Sequence, residues 1–335
     1  MSFRGKKVVV TGADGFIGSH LAEELVRKGA DVTALALYTG LDRFGWLDEI
    51  DDEMRNAMRI VRGDVRDGAM MARLLGNVDI VFHLAALIAI PHSYDAPSSY
   101  IDVNVTGTVN ILEAARMHHI GRVIHTSTSE VYGTAQTVPI SESHPLVAQS
   151  PYAASKIAAD KLAESYALCF NLPVFVLRPF NTYGPRQSER AVISATIRQA
   201  LDPRSDAIHI GDPNTIRDFN YISDTVAAFV AIGSSDAVEP GRPYNSGTGI
   251  GTPISKMIEL VRAATGTNKT VVSEARRVRP EKSEIRELVA DPNLFRKATG
   301  WKPAVDLTCG IATMVDWWRE RIEQDRVRAD VSYIV

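Results

Sequence analysis

Lys7-Val8-Val9-Val10-Thr11 runs straight into Gly12-Ala13-Asp14-Gly15-Phe16-Ile17-Gly18. The first five residues are short, apolar and β-branched, which is the pattern of a buried strand. The glycines that follow are spaced Gly-x-x-Gly-x-x-Gly. A helical period then covers residues 15–28, with Ile17, Leu21, Leu25 and Val26 on one face. A glycine turn between a strand and a helix lets backbone come close to a diphosphate, and the helix N-terminus offers it free N–H groups and a positive dipole end. Three spaced glycines alone would also suit an ordinary strand-to-helix turn. The strand before and the amphipathic helix after them favour the phosphate-binding reading.

The same alternation continues outward from this turn. Strand patterns occupy 31–37, 58–62, 78–84, 122–126 and 173–178, with helical patterns at 69–75, 99–118 and 152–170. Apolar strands alternating with helices predict a parallel sheet covered on both faces, and right-handed crossovers make it a doubly wound α/β fold. Beyond Arg178 proline and glycine become frequent, while helical patterns persist at 191–200, 225–232 and 254–265. This predicts a Rossmann domain over 1–180, with 217–246 contributing to it. Residues 181–216 and 247–335 would form a smaller, interleaved C-terminal α/β lobe. The charged stretch after Trp318 reads as a solvated helix with an extended end at 331–335.

Composition narrows the function classes. Of 335 residues 45% are hydrophobic and 23% charged, which is globular and rules out a disordered or collagen-like chain. The net charge of −3 leaves no electrostatic footprint for nucleic acid or an anionic membrane. Arg4, Lys6 and Lys7 precede only a three-valine run before the glycines, so no secretory signal is read there. The longest apolar run, 80–90, is too short for a bilayer, which needs about 20 residues. Cys169 and Cys309 make no disulfide framework or ligand cluster; they read as small buried apolar groups in a reduced, cytoplasmic protein.

A dinucleotide site of this kind usually ends its second strand with an acidic residue for the adenosine ribose. Here the strand ends Ala34-Leu35-Ala36-Leu37-Tyr38, and the expected position near Ala36 is apolar. No cation cluster replaces it for a 2′-phosphate, Arg43 being the nearest, so NAD and NADP both stay open. Asp64, closing the third strand in Gly63-Asp64-Val65, either turns the chain or reaches the adenine edge.

Tyr152-Ala153-Ala154-Ser155-Lys156 places a phenol and an ammonium four apart, on one helix face, after Pro151 in the first turn. An ammonium beside a phenol favours phenolate and lowers its pKa from about 10, making a base usable near neutrality. Thr126-Ser127-Thr128-Ser129-Glu130 follows the fifth strand, at the carboxyl edge where doubly wound sheets bind ligands. Hydroxyls and a carboxylate gathered there point to chemistry rather than packing, although one Ser or Thr would also serve as a helix cap.

These pieces together resemble the extended short-chain dehydrogenase/reductase superfamily over nearly the whole chain. They include the Gly12–Gly18 turn, Gly63-Asp64-Val65, His83-Leu84-Ala85-Ala86, Asn104 in Asn-x-x-Gly-Thr, the Thr128 loop, Tyr152 with Lys156, and Arg178-Pro179-Phe180-Asn181-Thr182-Tyr183-Gly184-Pro185-Arg186. Arg217-Asp218-Phe219 and Arg279-Pro280 complete them. The resemblance implies NAD(P) in the Rossmann part and a nucleotide-diphosphate sugar in the lobe. Around the cofactor it puts Gly12, Gly15, Phe16, Ile17, Gly18, Asp64, Val65, Leu84, Ala85, Ala86, Asn104, Thr126, Tyr152, Lys156 and Pro179. On the substrate it puts Asn181, Arg190, Arg217 and Arg279, arginine forks being suited to diphosphate.

Thr128-Ser129-Glu130 resembles the Thr-(Asp/Ser)-Glu triplet of nucleotide-sugar 4,6-dehydratases. Simple 4-epimerases usually lack that Glu, whereas UDP-glucuronate decarboxylases also carry Thr-Ser-Glu. The stretches 83–91, 184–193 and Gly45-Trp46-Leu47-Asp48 resemble the legionaminic-acid-pathway type, which acts on nucleotide-linked N-acetylglucosamine. The implied chemistry is oxidation at C4 with Tyr152 as base, Thr128 holding the hydroxyl and Lys156 tuning the phenol. Glu130 then removes the C5 proton, water leaves from C6, and hydride returns to C6. Glucose-specific members carry an Asp acid where this chain has Ser129. A 5,6-dehydratase, 4-epimerase, uronate decarboxylase or non-catalytic NAD(P)-sensing protein are the competing readings. Two apolar faces on the helices 99–118 and 152–170 predict a homodimer. His83 reads as a satisfied core histidine, and His118 and His119 as a helix C-terminal cap.

Overall fold

Val8, Val9 and Val10 are almost wholly buried in β1 (Lys7–Thr11), and they alternate between two cores, Val8 and Val10 into one and Val9 into the other. This alternation is what a strand covered on both faces requires. The computed structural model describes residues 1–278 and 280–327. The other central strands are β2 (Asp31–Leu37), β3 (Met58–Gly63), β4 (Ile80–His83), β5 (Arg122–Thr126), β6 (Val174–Pro179) and β7 (Pro243–Ser246). They form one parallel sheet in the order β7-β6-β5-β4-β1-β2-β3. The fold is the expected α/β Rossmann type.

One face is covered by the helices Phe16–Arg27 and Ile222–Ser234, through Leu21, Leu25, Phe229 and Ile232. The other is covered by Gly68–Leu74, Gly107–Met117 and Pro151–Phe170, through Met71, Ile111, Leu112, Ala163 and Tyr166. The chain runs outward from β1 to β3 and then returns to β4 on the other side of β1. The strand order therefore reverses between β1 and β4, where doubly wound sheets bind ligands.

A third core lies in the lobe, where Ile193 and Ile197 of the helix Val192–Leu201 meet Met257 and Ile258 of Ile254–Thr265 and Met314 and Trp318 of Leu307–Glu323. Two small sheets accompany it, Ile216–Asp218 between Gly251–Pro253 and Glu287–Leu288, and Ala207–Ile210 beside Thr270–Ser273. Among the described residues no helix is long and apolar enough to cross a membrane.

Several expectations change. The helix expected over 99–118 is three segments, α-helical Pro97–Tyr100, π-helical Ile101–Thr106 and α-helical Gly107–Met117. Periodicity registers a helix but not one extra residue in a turn. β7 was not anticipated; its Pro243 and isolated polar residues hid a four-residue edge strand. Cys169 and Cys309 are exposed rather than buried. Cys169 sits in the outward-facing last turn of Pro151–Phe170, and Cys309 in the first turn of Leu307–Glu323, where its backbone N–H meets the Asp306 cap. The expectation for 331–335 lies outside the described residues.

Candidate active site

The glycine turn is shaped by contacts that leave no room for side chains. Gly12 has φ +67°, and a Cβ there would stand 2.8 Å from the Ala85 nitrogen. A Cβ on Gly18 would stand 2.1 Å from the Gly12 carbonyl oxygen. The helix Phe16–Arg27 then starts at Gly15 with neither a side-chain cap nor an acidic residue in its first turn. Its leading N–H groups are therefore available to an anion. These features fit a dinucleotide diphosphate.

At the adenosine end, Ala36 is fully buried and no acid stands at the tip of β2, as expected. Asp14 occupies this corner instead. Its Oδ2 accepts the Leu37 N–H at 3.2 Å, and its carbonyl accepts the Trp46 N–H at 3.0 Å. Burial pushes its carboxyl up, against the Leu37 bond. Gly45, at φ +58°, has its Cβ position 2.5 Å from the Asp14 oxygen, so Gly45-Trp46 closes directly over the turn. The structural neighbour of Ala36 is Arg62 on β3, which pairs with Asp42 and lies 4.3 Å over the Phe44 ring. Arg43 is the nearer in sequence, but strand register brings Arg62 to this edge. Asp64 turns the chain and takes the fork of Arg66, Nε at 2.9 Å and Nη2 at 2.6 Å from Oδ2; these bonds hold its carboxyl below the usual range. Val65 packs under Gly107.

His83 anchors the opposite wall. The Leu84 and Ala85 N–H groups both donate to Thr11 Oγ1 at 3.1 Å, and that hydroxyl lies 2.8 Å from His83 Nδ1. His83 Nε2 lies 3.1 Å from Thr108 Oγ1, which donates to the Asn104 carbonyl at 2.6 Å. The Thr108 proton is thus committed, so Nε2 carries the imidazole proton and Nδ1 accepts from Thr11. Burial, with His125 and Lys156 adding to it, holds His83 neutral. The core reading is correct, and the histidine also fixes the Leu84-Ala85-Ala86 loop. Asn104 takes the Leu87 N–H at 2.8 Å and donates to the Leu87 carbonyl and to Ser155 Oγ, both at 2.9 Å. Its amide therefore ties that loop to the helix Pro151–Phe170. The π-helical turn is what aims it there.

Thr128, Ser129, Glu130, Tyr152 and Lys156 come together at the carboxyl edge of β5. Thr128 caps the short 3₁₀ helix Ser129–Tyr132, accepting the Glu130 N–H at 3.3 Å, and it hydrogen-bonds the Tyr152 phenol. Ser129, Glu130 and Tyr152 are buried. Ser150 caps the helix Pro151–Phe170 at the Ala153 N–H, 3.1 Å away. The tuning of the phenol differs from expectation. Lys156 Nζ donates to the Thr126 carbonyl at 2.6 Å. Burial pushes the Tyr152 phenol above its ordinary pKa; the Thr128 bond opposes this, while Glu130 and Asp160 reinforce it. Burial brings Lys156 down to about 8, with Asp160 pulling it back up. Phenolate is disfavoured here because two carboxylates and a dry environment act against a second anion.

Thr126 Oγ1 and Asn181 Oδ1 are among the buried side-chain polar atoms that have no hydrogen-bond partner within the described residues. Pro179 ends β6 beside Ser246. Arg190 is exposed and close enough to act on the Tyr100 phenol. Arg217 is buried and donates to the Ile216 carbonyl at 2.9 Å, with Glu284 at 3.4 Å. Arg279 lies outside the described residues. Asp160, His125 and Arg178 were not anticipated. Asp160 was visible as the third member of a face four residues apart, Tyr152, Lys156, Asp160, whereas the strand residues facing it carry no such signal.

Comparison with known proteins accords with this geometry. Residues 9–314 match the family described as GDP-mannose 4,6 dehydratase. A dTDP-glucose 4,6-dehydratase of Actinoplanes sp. is 34% identical over 321 residues, covering 93% of this chain and 98% of that protein. A UDP-glucose 4-epimerase of Mycolicibacterium smegmatis is 33% identical over 323 residues, covering 94% and 99%. The crystal structure of DesIV, a dTDP-glucose 4,6-dehydratase from Streptomyces venezuelae with NAD bound, has a TM-score of 0.86 at 29% identity and covers 95% of this chain and 98% of its own. The chain matches these proteins over nearly its whole length, and it belongs to the GDP-mannose 4,6-dehydratase family of extended short-chain dehydrogenase/reductases.

Proposed function

We propose that this protein is an enzyme that removes water from C5 and C6 of a nucleotide-diphosphate hexose, giving the 4-keto-6-deoxy sugar. The observation that carries this reading is the convergence of the buried Glu130 on the buried Tyr152 and its partner Thr128, one helical turn from Lys156. A hydroxyl-oxidising pair needs no further carboxylate; elimination does. Gly12, Gly15 and Gly18 would hold the diphosphate of NAD and Lys156 its nicotinamide ribose. Bound there, NAD would supply reversible hydride transfer with the sugar and a positive charge beside the phenol.

Tyr152 takes the proton of the C4 hydroxyl, which Thr128 holds in place. The ketone so formed acidifies the C5 proton, and Glu130 removes it. Ser129 has a hydroxyl whose pKa lies far above neutrality, so it is a poor acid. Glu130, newly protonated, therefore delivers that proton to the departing C6 hydroxyl, which leaves as water; a solvent proton, passed back through Glu130, then reaches C5 as C6 is reduced. Resemblance of 83–91, 184–193 and Gly45-Trp46-Leu47-Asp48 to legionaminic-pathway enzymes supports an N-acetylglucosamine substrate, and the same resemblance assigns Asn181, Arg190, Arg217 and Arg279 to the nucleotide diphosphate.

A second reading is 4-epimerisation, favoured by the epimerase relative of similar identity. Incubation with UDP- and GDP-N-acetylglucosamine, dTDP-glucose and UDP-glucuronate, followed by mass spectrometry and proton NMR, separates the readings. Loss of one water with a new C6 methyl supports the proposal, and an exocyclic methylene instead means 5,6-dehydration. Unchanged mass with C4 inverted means an epimerase. Loss of carbon dioxide from UDP-glucuronate means a decarboxylase, and no turnover of any nucleotide sugar favours a sensor.

A further inference from the structure

Asp160 has no solvent exposure and sits one turn beyond Lys156 on the helix Pro151–Phe170. Arg178, near the end of β6, forks onto its Oδ2 through Nε at 3.0 Å and Nη2 at 2.9 Å. The Ser127 hydroxyl donates to the same oxygen at 2.8 Å, and His125 Nε2 of β5 stands 3.2 Å from Oδ1. Arg178 Nη1 continues to the Tyr132 hydroxyl at 3.0 Å, which donates to Asn245 Oδ1 of β7 at 2.7 Å. One carboxylate thus joins the helix that carries Tyr152 and Lys156 to β5, to the loop leading to Thr128, and to β6. Buried charge placed so close to a buried ammonium acts on it through a medium of low polarity.

We propose that Asp160 is a positioning residue that keeps the Lys156 ammonium charged inside the site, while the Arg178 guanidinium bound to it moderates its field. The proposal rests on the reading of Tyr152 and Lys156 as the reacting pair. Lys156 itself is hydrogen-bonded to a neutral acceptor, the Thr126 carbonyl. The charged and titratable groups around the pair are His83 from β4, His125 from β5, Arg178 from β6, Glu130 from the loop after β5, Tyr100 from Pro97–Tyr100, and Asp160 from the same helix. Burial lowers both histidines, so they carry little charge near neutrality. Burial alone would push the Asp160 carboxyl up, but His125, Arg178 and Lys156 outweigh it and hold it at about 2. These partners favour the Asp160 anion.

The sign is definite. Burial lowers Lys156 to about 8 and Asp160 opposes that fall. Neutralising Asp160 must let Lys156 lose its proton at lower pH, and neutralising Arg178 must let it keep its proton to higher pH. The test is carbon NMR of protein labelled at lysine Cε, with the Lys156 resonance identified by its loss in Lys156→Arg. The titration midpoint should fall by about one to two pH units in Asp160→Asn and rise in Arg178→Gln. The alkaline limb of kcat should move in the same two directions. A structural role alone would damage both variants without moving Lys156 oppositely. If Asp160→Asn does not fold, Asp160→Asn/Arg178→Gln, which removes both charges of the ion pair and leaves no unpaired guanidinium, should still titrate below the native protein because Asp160, one turn from Lys156 on the same helix face, is the member of the pair that holds its proton. A Lys156 midpoint unchanged in these variants overturns the proposal. A Lys156 that titrates as described in a protein that turns over no nucleotide sugar overturns the proposed function instead.

Discussion

At the scale of single residues, the proposed mechanism gives redox proton transfer to Tyr152 and elimination to Glu130. Tyr152→Phe removes the phenol but keeps the ring that packs against Tyr100 at 6.3 Å. We expect kcat to fall by roughly 10²–10⁴-fold with KM nearly unchanged, because the phenol acts in the transition state. Turnover near the native rate would remove Tyr152 from the mechanism. Glu130→Gln should still oxidise C4 but stall before water leaves. Absorbance of reduced cofactor should then persist in single turnover, with no solvent deuterium entering C5. Ser129→Ala should be mild if Glu130 is both base and acid. A loss as severe as that of Glu130→Gln would show that Ser129 relays the proton to the leaving hydroxyl. The identities of these residues were legible in sequence, but their electrostatics were not. Tyr152 and Lys156 were expected to form an ammonium–phenol pair; in the fold the ammonium turns to the Thr126 carbonyl, and burial pushes the phenol upward.

At the scale of elements, the strand–turn–helix unit depends on backbone packing so close that one methyl group disrupts it. Gly18→Ala would place carbon 2.1 Å from the Gly12 oxygen, so the helix Phe16–Arg27 must move off the turn. The expected outcome is a folded protein that purifies with less than about a tenth of the native NAD content, measured after denaturing release; this loss reflects misplaced helix N–H groups. NAD content equal to the native protein would exclude the turn as the cofactor site. The π-helical turn at Ile101–Thr106 makes the same point for Asn104. Asn104→Ala would remove the bonds to Leu87 and Ser155 that join two walls of the site. Asn104 was assigned to the cofactor from its motif; within the chain its amide also accepts from the Leu87 N–H and donates to the Leu87 carbonyl and Ser155 Oγ.

At the scale of the whole molecule, the two long helices on one face of the sheet are unequally covered. Ile111, Leu112 and Ala163 face the sheet, whereas Met117, Leu168 and Phe170 are exposed, Leu168 at 81%. We predict that a second copy of the chain, which supplies the same helices, covers these exposed apolar side chains. Light scattering at micromolar concentration should give twice the 36.6 kDa chain mass. Leu168→Asp with Phe170→Asp should give a folded monomer, since both side chains point away from the core. A monomeric mass for the native protein would rule the homodimer out.

The sequence by itself determined the doubly wound sheet, because alternating apolar strands and amphipathic helices are local patterns with few ways to be buried. It also located the glycine turn, the Thr128–Glu130 loop and the Tyr152/Lys156 face, which are contiguous in the chain. Only the tertiary structure decided what stands opposite each of these. Strand register brings Arg62 rather than Arg43 to the end of β2, and parallel packing sets Arg178 and His125 against Asp160. Such partners lie tens of residues apart and have no periodicity in common. Their meeting follows from the order and register of the strands, and the charge on a buried group follows from how much water that packing excludes.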